Sequence, residues 1–120
     1  MTLAVLIGIS LIACSSTKGA STTVGAAKPT LEVKNEVQGN TATVHIQTNL
    51  SMSSANVGKE RKVGQGHIHI AIDDGEKETL VEPIYKYKDL KAGKHQIKVS
   101  LHNNDHTPYD VAQSLEFEVK

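Results

Sequence analysis

From Leu31 to the C-terminus, apolar residues recur at every second position, the period of a strand with one buried face. Leu31, Val33 and Val37 alternate with polar residues as far as Gln38-Gly39-Asn40, a turn composition. Ala42, Val44 and Ile46 repeat the pattern, and Ile68, Ile70 and Ile72 repeat it again before Asp73-Asp74-Gly75, a second turn signal. Between these two runs lies a polar loop over residues 49–65 that contains Met52, Gly58 and Gly64. Residues 79–87 hold one or two short strands interrupted by Pro83, which lacks an N–H and suits a sheet edge. Ile97, Val99 and Leu101 mark a long strand, and Leu115, Phe117 and Val119 the last one.

Six or seven short strands in roughly 90 residues, with turns between them and no amphipathic helix, predict an all-β fold. The expected architecture is an Ig-like antiparallel β-sandwich of about seven strands over residues 31–120, filled by the inward-facing aliphatic positions. Three Tyr, one Phe and no Trp suit a thin aliphatic core and argue against a base-stacking surface. Thirteen basic residues balance thirteen acidic ones, so no basic excess is present to grip nucleic acid.

The N-terminus reads differently. Residues 1–13 carry no charged side chain, and the first charge is Lys18. Thirteen residues fall short of the ~20 that span a bilayer and match the apolar region of a secretory signal peptide. That run ends in Leu11-Ile12-Ala13-Cys14, followed by Ser15-Ser16, and Cys14 is the only Cys of the chain. It resembles the bacterial lipobox, in which the Cys is lipidated and becomes the mature N-terminus. The resemblance implies a signal peptide over 1–13, a lipidated Cys14 and a Ser/Thr/Gly/Ala-rich flexible tether to residue 30. It also implies membrane attachment through lipid, on an extracytoplasmic face of the cell envelope.

Two further likenesses concern the C-terminal third. Leu90-x-x-Gly93-x-His95-x-Ile97-x-Val99 resembles the E–F corner of immunoglobulin-like and fibronectin-like domains, with His95 where a Tyr would stand. Leu90, Gly93, Asp105-His106-x-Pro108 and Phe117-x-Val119 resemble the copper-resistance proteins of the CopC type. Those are small seven-stranded sandwiches that work outside the cytoplasm. The resemblance implies the same kind of fold and a copper ligand, although that family places one residue between its Asp and His.

Six His against one Cys is the compositional oddity. In His67-Ile68-His69-Ile70 the Ile residues face the core, so both imidazoles stand on the outer face, ~7 Å apart at Cα. If residues 31–37, 41–48, 66–73 and 94–102 take Ig order as strands A, B, C and F, then C and F are antiparallel neighbours. The start of C then lies beside the end of F, where His102 also faces outward. The loops carrying Met52 and Asp105-His106 sit at that same end. His67, His69, His102, His106, Asp105 and Met52 thus form a candidate metal site. Imidazole and carboxylate donors favour Cu(II) in the first-row series, a Met adds affinity for Cu(I), and zinc fits the same donors. Binding is expected to weaken as pH falls through the usual His range near ~6.5. His45 belongs to the opposite sheet, and His95 lies at the far end with core parity, where it fits a structural hydrogen bond.

Enzyme patterns are missing. No G-x-S-x-G elbow occurs, Cys14 is claimed by lipid, and Gly64-Gln65-Gly66 enters a strand instead of a phosphate-binding helix. The His67-x-His69-x-x-x-Asp73 run fails the cupin register, which has Glu at that position. Two functions therefore stand: an anchored copper-handling protein serving a metal-transfer or envelope partner, and a non-catalytic interaction module with incidental histidines.

Overall fold

The structure, a computed structural model, describes residues 28–120. The expected signal peptide, Cys14 and most of the tether lie outside the described residues. Seven strands follow in order: β1 (Leu31–Gln38), β2 (Thr41–Thr48), β3 (His67–Ile72), β4 (Glu78–Leu80), β5 (Ile84–Tyr87), β6 (Gly93–His102) and β7 (Pro108–Val119). They form a three-stranded sheet, β1-β2-β5, and a four-stranded sheet, β4-β3-β6-β7, with every pairing antiparallel. The fold is an all-β, Ig-like sandwich, as the period of two predicts. Among the described residues no helix is long and apolar enough to cross a membrane.

The core forms where the inner faces meet. Val33, Val44 and Ile46 from one sheet pack against Ile68, Ile70, Ile97, Val99 and Leu101 from the other, all buried. Each fully buried Val, Ile or Leu contributes about 1.5–3 kcal/mol, so these branched side chains carry most of the driving force. Leu50 is a core residue that the alternation does not reveal, because it lies in the long loop. Val37, at the end of β1, is 38% exposed and adds little.

Local chemistry sets the turns. Gln38 pairs with Thr41, leaving a two-residue loop whose first position is Gly39 at φ +57°. A Gly there meets the requirement of a type II′ hairpin at no steric cost. Pro83 lies where the chain crosses from β4 in one sheet to β5 in the other, and both are edge strands. The last strand is longer than the sequence pattern predicts. It begins at Pro108, opposite His102, and Tyr109 and Val111 add partly buried contacts to the core.

One pairing positions the site. Strand β3 runs against β6 with Ile68 opposite Leu101 and Ile70 opposite Val99, which fixes the inner face. By the pleat, the outer face of the same register sets His67 opposite His102 and His69 opposite Ser100. A shift of one residue would exchange the two faces, so burial of four aliphatic side chains holds the histidines in register.

Candidate metal centre

Three imidazoles converge at this end of the four-stranded sheet. His67 Nε2 lies 3.1 Å from His69 Nε2 and 3.1 Å from His106 Nδ1, and the third edge, His106 Nδ1 to His69 Nε2, is 3.5 Å. These three residues can hold a metal ion, each offering one ring nitrogen. A tetrahedral ion with metal–nitrogen bonds of ~2.0–2.1 Å sets its ligand nitrogens ~3.3–3.4 Å apart, the size of this triangle. Octahedral geometry at the same bond length would draw them to ~2.9 Å.

The triangle is frustrated without a cation. Each nitrogen presents either a proton or a lone pair, and among three such atoms at most two pairs match as donor and acceptor. At least one pair sets like against like at close range. A cation that accepts three lone pairs removes the conflict.

Protonation favours the lone pairs. Burial, followed by the charges that His106 and His102 would carry, lowers His67 to about 4 from the usual 6.5. His69 is likewise lowered to about 4, first by burial and then by His102, His67, His106 and Lys77. Both rings are neutral at pH 7 and stay so well below the range that the sequence alone predicts. His67 does stand on the outer face of its strand, but its neighbours cover it completely at 0% exposure. Its Nδ1 is buried with no hydrogen-bond partner among the described residues. An unsatisfied buried polar atom costs about 1–3 kcal/mol.

His106 reaches the group from the loop between β6 and β7, and that loop is built to present it. The backbone of His106 is left-handed, at φ +73°, which is uncommon for a non-Gly residue and costs of the order of 1–3 kcal/mol. Surrounding bonds hold it there. His106 N–H donates to Asn103 O at 2.9 Å, and Asn103 N–H donates to Thr107 O at 2.7 Å. The buried Asn104 side chain donates to Glu60 O and to Gln65 Oε1, tying this loop to the long loop before β3.

Of the other site residues expected from the sequence, His102 is adjacent but differently employed. Its Nδ1–H donates to His106 O at 3.1 Å, and its Nε2 accepts from Ser100 Oγ–H at 2.9 Å. With both nitrogens engaged, its ring stacks on His69, centroids 3.7 Å apart. His102 therefore braces the His69 ring by stacking and the His106 backbone through its carbonyl, and stands outside the group. Asp105 is turned away: its Oδ1 accepts from Thr107 N–H and Oγ1–H, and its Oδ2 lies 3.5 Å from Arg61 Nε. Those contacts hold its carboxyl below the usual carboxylate range, Thr107 being the first cause. Met52 packs against the aliphatic core, beside Ile46 and Pro83.

Two histidines stand apart, as expected. His45 on β2 contacts Glu36 Oε1 at 2.9 Å on the exposed face of the other sheet. His95 Nδ1–H donates to Asp73 Oδ2 at 2.6 Å and its Nε2–H donates to Lys91 O at 2.7 Å. Both acceptors are oxygens, so the ring is held as a cation. The Lys91 bond and then Asp73 raise its pKa, and the His95 bond is the first cause that lowers Asp73. This pair, with Asp73 Oδ1 accepting from Gln96 N–H at 2.8 Å, locks the Asp73-Asp74 turn, where both residues have positive φ.

Sequence reasoning missed Gly66, Ser100, Asn103 and Asn104. A Cβ at Gly66 would lie 2.1 Å from His102 O, so only Gly lets the entry of β3 approach the end of β6 and bring His67 under His102. The signals were present as a Gly directly before the His-x-His and an Asn-Asn pair directly before Asp105-His106.

No family model matches the sequence, and no curated protein matches it either. Among solved structures, the fold is similar to the PKD1 domain of Vibrio anguillarum Epp, at TM-score 0.53 and 7% identity, covering 78% of this chain and 95% of that one. It is equally similar to the PKD1 domain from the Vibrio cholerae metalloprotease PrtV, at TM-score 0.53 and 12% identity, covering 78% of this chain and 99% of that one. At such identities the likeness establishes the Ig-like sandwich alone.

Proposed function

We propose that this protein is an extracytoplasmic lipoprotein, anchored through Cys14, that binds one transition-metal ion through His67, His69 and His106 for handling or delivery. The observation that carries the reading is the triangle of ring nitrogens, 3.1, 3.1 and 3.5 Å on its edges, built from two neutral strand imidazoles and a strained loop imidazole. Copper is the first choice of metal, since imidazole donors bind Cu(II) most tightly in the first-row series, and zinc suits the same tetrahedral spacing. The lipobox-like Leu11-Ile12-Ala13-Cys14 run supports the address, and the CopC-like pieces between Leu90 and Val119 support copper. A metal-transfer or envelope protein is the partner this role requires.

Titration of the purified protein with Cu(II), and separately with Zn(II), tests the reading. One equivalent binds near neutral pH, and His67→Ala, His69→Ala and His106→Ala each reduce the affinity, whereas His45→Ala does not. Equal losses from all four substitutions would indicate adventitious surface binding and leave an Ig-like interaction module as the function.

A further inference from the structure

Three protein nitrogens leave a tetrahedral ion one ligand short, and the surroundings decide what fills the place. Among the described residues, the neighbouring donors His102 and Asp105 are engaged elsewhere. His102 uses both ring nitrogens on Ser100 and on the His106 carbonyl. Asp105 is capped by Thr107 and faces Arg61. The ligand group therefore consists of imidazoles with no carboxylate, and a divalent ion held there keeps its full double charge. His106 is exposed, so one side of the group opens to solvent.

The adjoining surface adds to that charge. A groove of about 320 Å³ runs along the outer face of the four-stranded sheet, lined by His69, Lys77, Lys98, Ser100, Gln113 and Ser114 among others. Its acidic residue, Asp74, is held by Lys98 at 2.9 Å. Lys77 makes no ion pair among the described residues. Resting on the metal reading above, we infer that the fourth ligand is a small anion from solution, drawn to the uncompensated ion and to Lys77 and coordinated directly to the metal. The groove makes room for an anion larger than hydroxide, such as a small carboxylate, with Ser114 as a hydroxyl donor along it.

Cobalt(II) and azide are the probes. Cobalt(II) added to the purified protein should produce the intense visible bands of a four-coordinate ion, saturating at one equivalent and absent in His67→Ala. Azide should then shift those bands saturably, and more strongly than neutral imidazole at the same concentration. Lys77→Ala should weaken azide affinity about threefold at low salt, with the difference shrinking as salt screens the charge, and leave cobalt affinity undiminished. Lys77→Arg should restore azide binding. Cobalt bands that azide leaves unmoved, or that imidazole shifts as readily, would overturn the anion site while the metal centre stands. No cobalt bands at all would remove the metal reading and this inference with it.

Discussion

Acidifying the metal-free protein should loosen it in a defined window. His67 and His69 are lowered from 6.5 to about 4, chiefly by burial. In the unfolded chain both rings take up protons as the pH drops below ~6.5, and in the folded protein they do not until about 4. Stability present above the unfolded value is thus lost progressively as pH falls through that window. A difference of about 2.5 in pKa amounts to ~3.4 kcal/mol for one fully expressed group, at 1.36 kcal/mol per unit. By about pH 5 roughly 2 kcal/mol of that is realised for a single ring, and partial exposure of His69 trims its share by solvent screening. The pair together should lose about 2–3 kcal/mol between pH 6.5 and pH 5, a large fraction of the stability of a small domain. The His95–Asp73 pair does not disturb the measurement. With His95 raised, its contribution is fully present below ~6.5 and is lost only at higher pH, and with Asp73 lowered, its contribution is lost only below the usual carboxylate range. Urea melts followed by circular dichroism across pH 7 to 4.5 give the slope, and the His67→Leu, His69→Gln double variant should flatten it. A midpoint that holds constant or rises on acidification, or a double variant with an unchanged slope, would refute the reasoning.

Gly66→Ala places a Cβ 2.1 Å from His102 O, so it should cost about 1–3 kcal/mol of stability and weaken metal binding together, read by melts with and without Zn(II). His102→Phe keeps a ring against His69 but gives up the bond to His106 O; metal affinity should fall about tenfold or more with the melting temperature nearly unchanged, and an unaffected affinity would deny His102 its bracing role. Cys14→Ala should abolish detergent-phase partitioning of the mature protein, and unchanged partitioning with unchanged mass would reject the lipid anchor.

The sandwich was legible because burial on one face of a strand writes itself into the sequence at every second residue. The pairing of β3 with β6, and with it the meeting of His67, His69 and His106, followed from that period and from Ig strand order. What the pattern does not encode is the state of a polar side chain once it arrives. His102 has the same parity as a ligand, yet Ser100 and the His106 carbonyl occupy its nitrogens. Asp105 is next in sequence to His106, but a local turn with Thr107 points it elsewhere. Leu50 and Asn104 are buried from loops, where no period exists to reveal them. His67 stands outward as the parity predicts, yet it is completely buried with the rings of His69, His102 and His106 around it, contacts only the tertiary arrangement supplies.

The central claim is that three particular ring nitrogens share one ion. Long-range proton–nitrogen correlation spectra of the imidazoles, recorded before and after one equivalent of Zn(II), test it atom by atom. The geometry predicts coordination shifts at His67 Nε2, His69 Nε2 and His106 Nδ1, with His45 and His95 unmoved. Shifts spread over all six histidines, or coordination through His102 in place of His106, would contradict it.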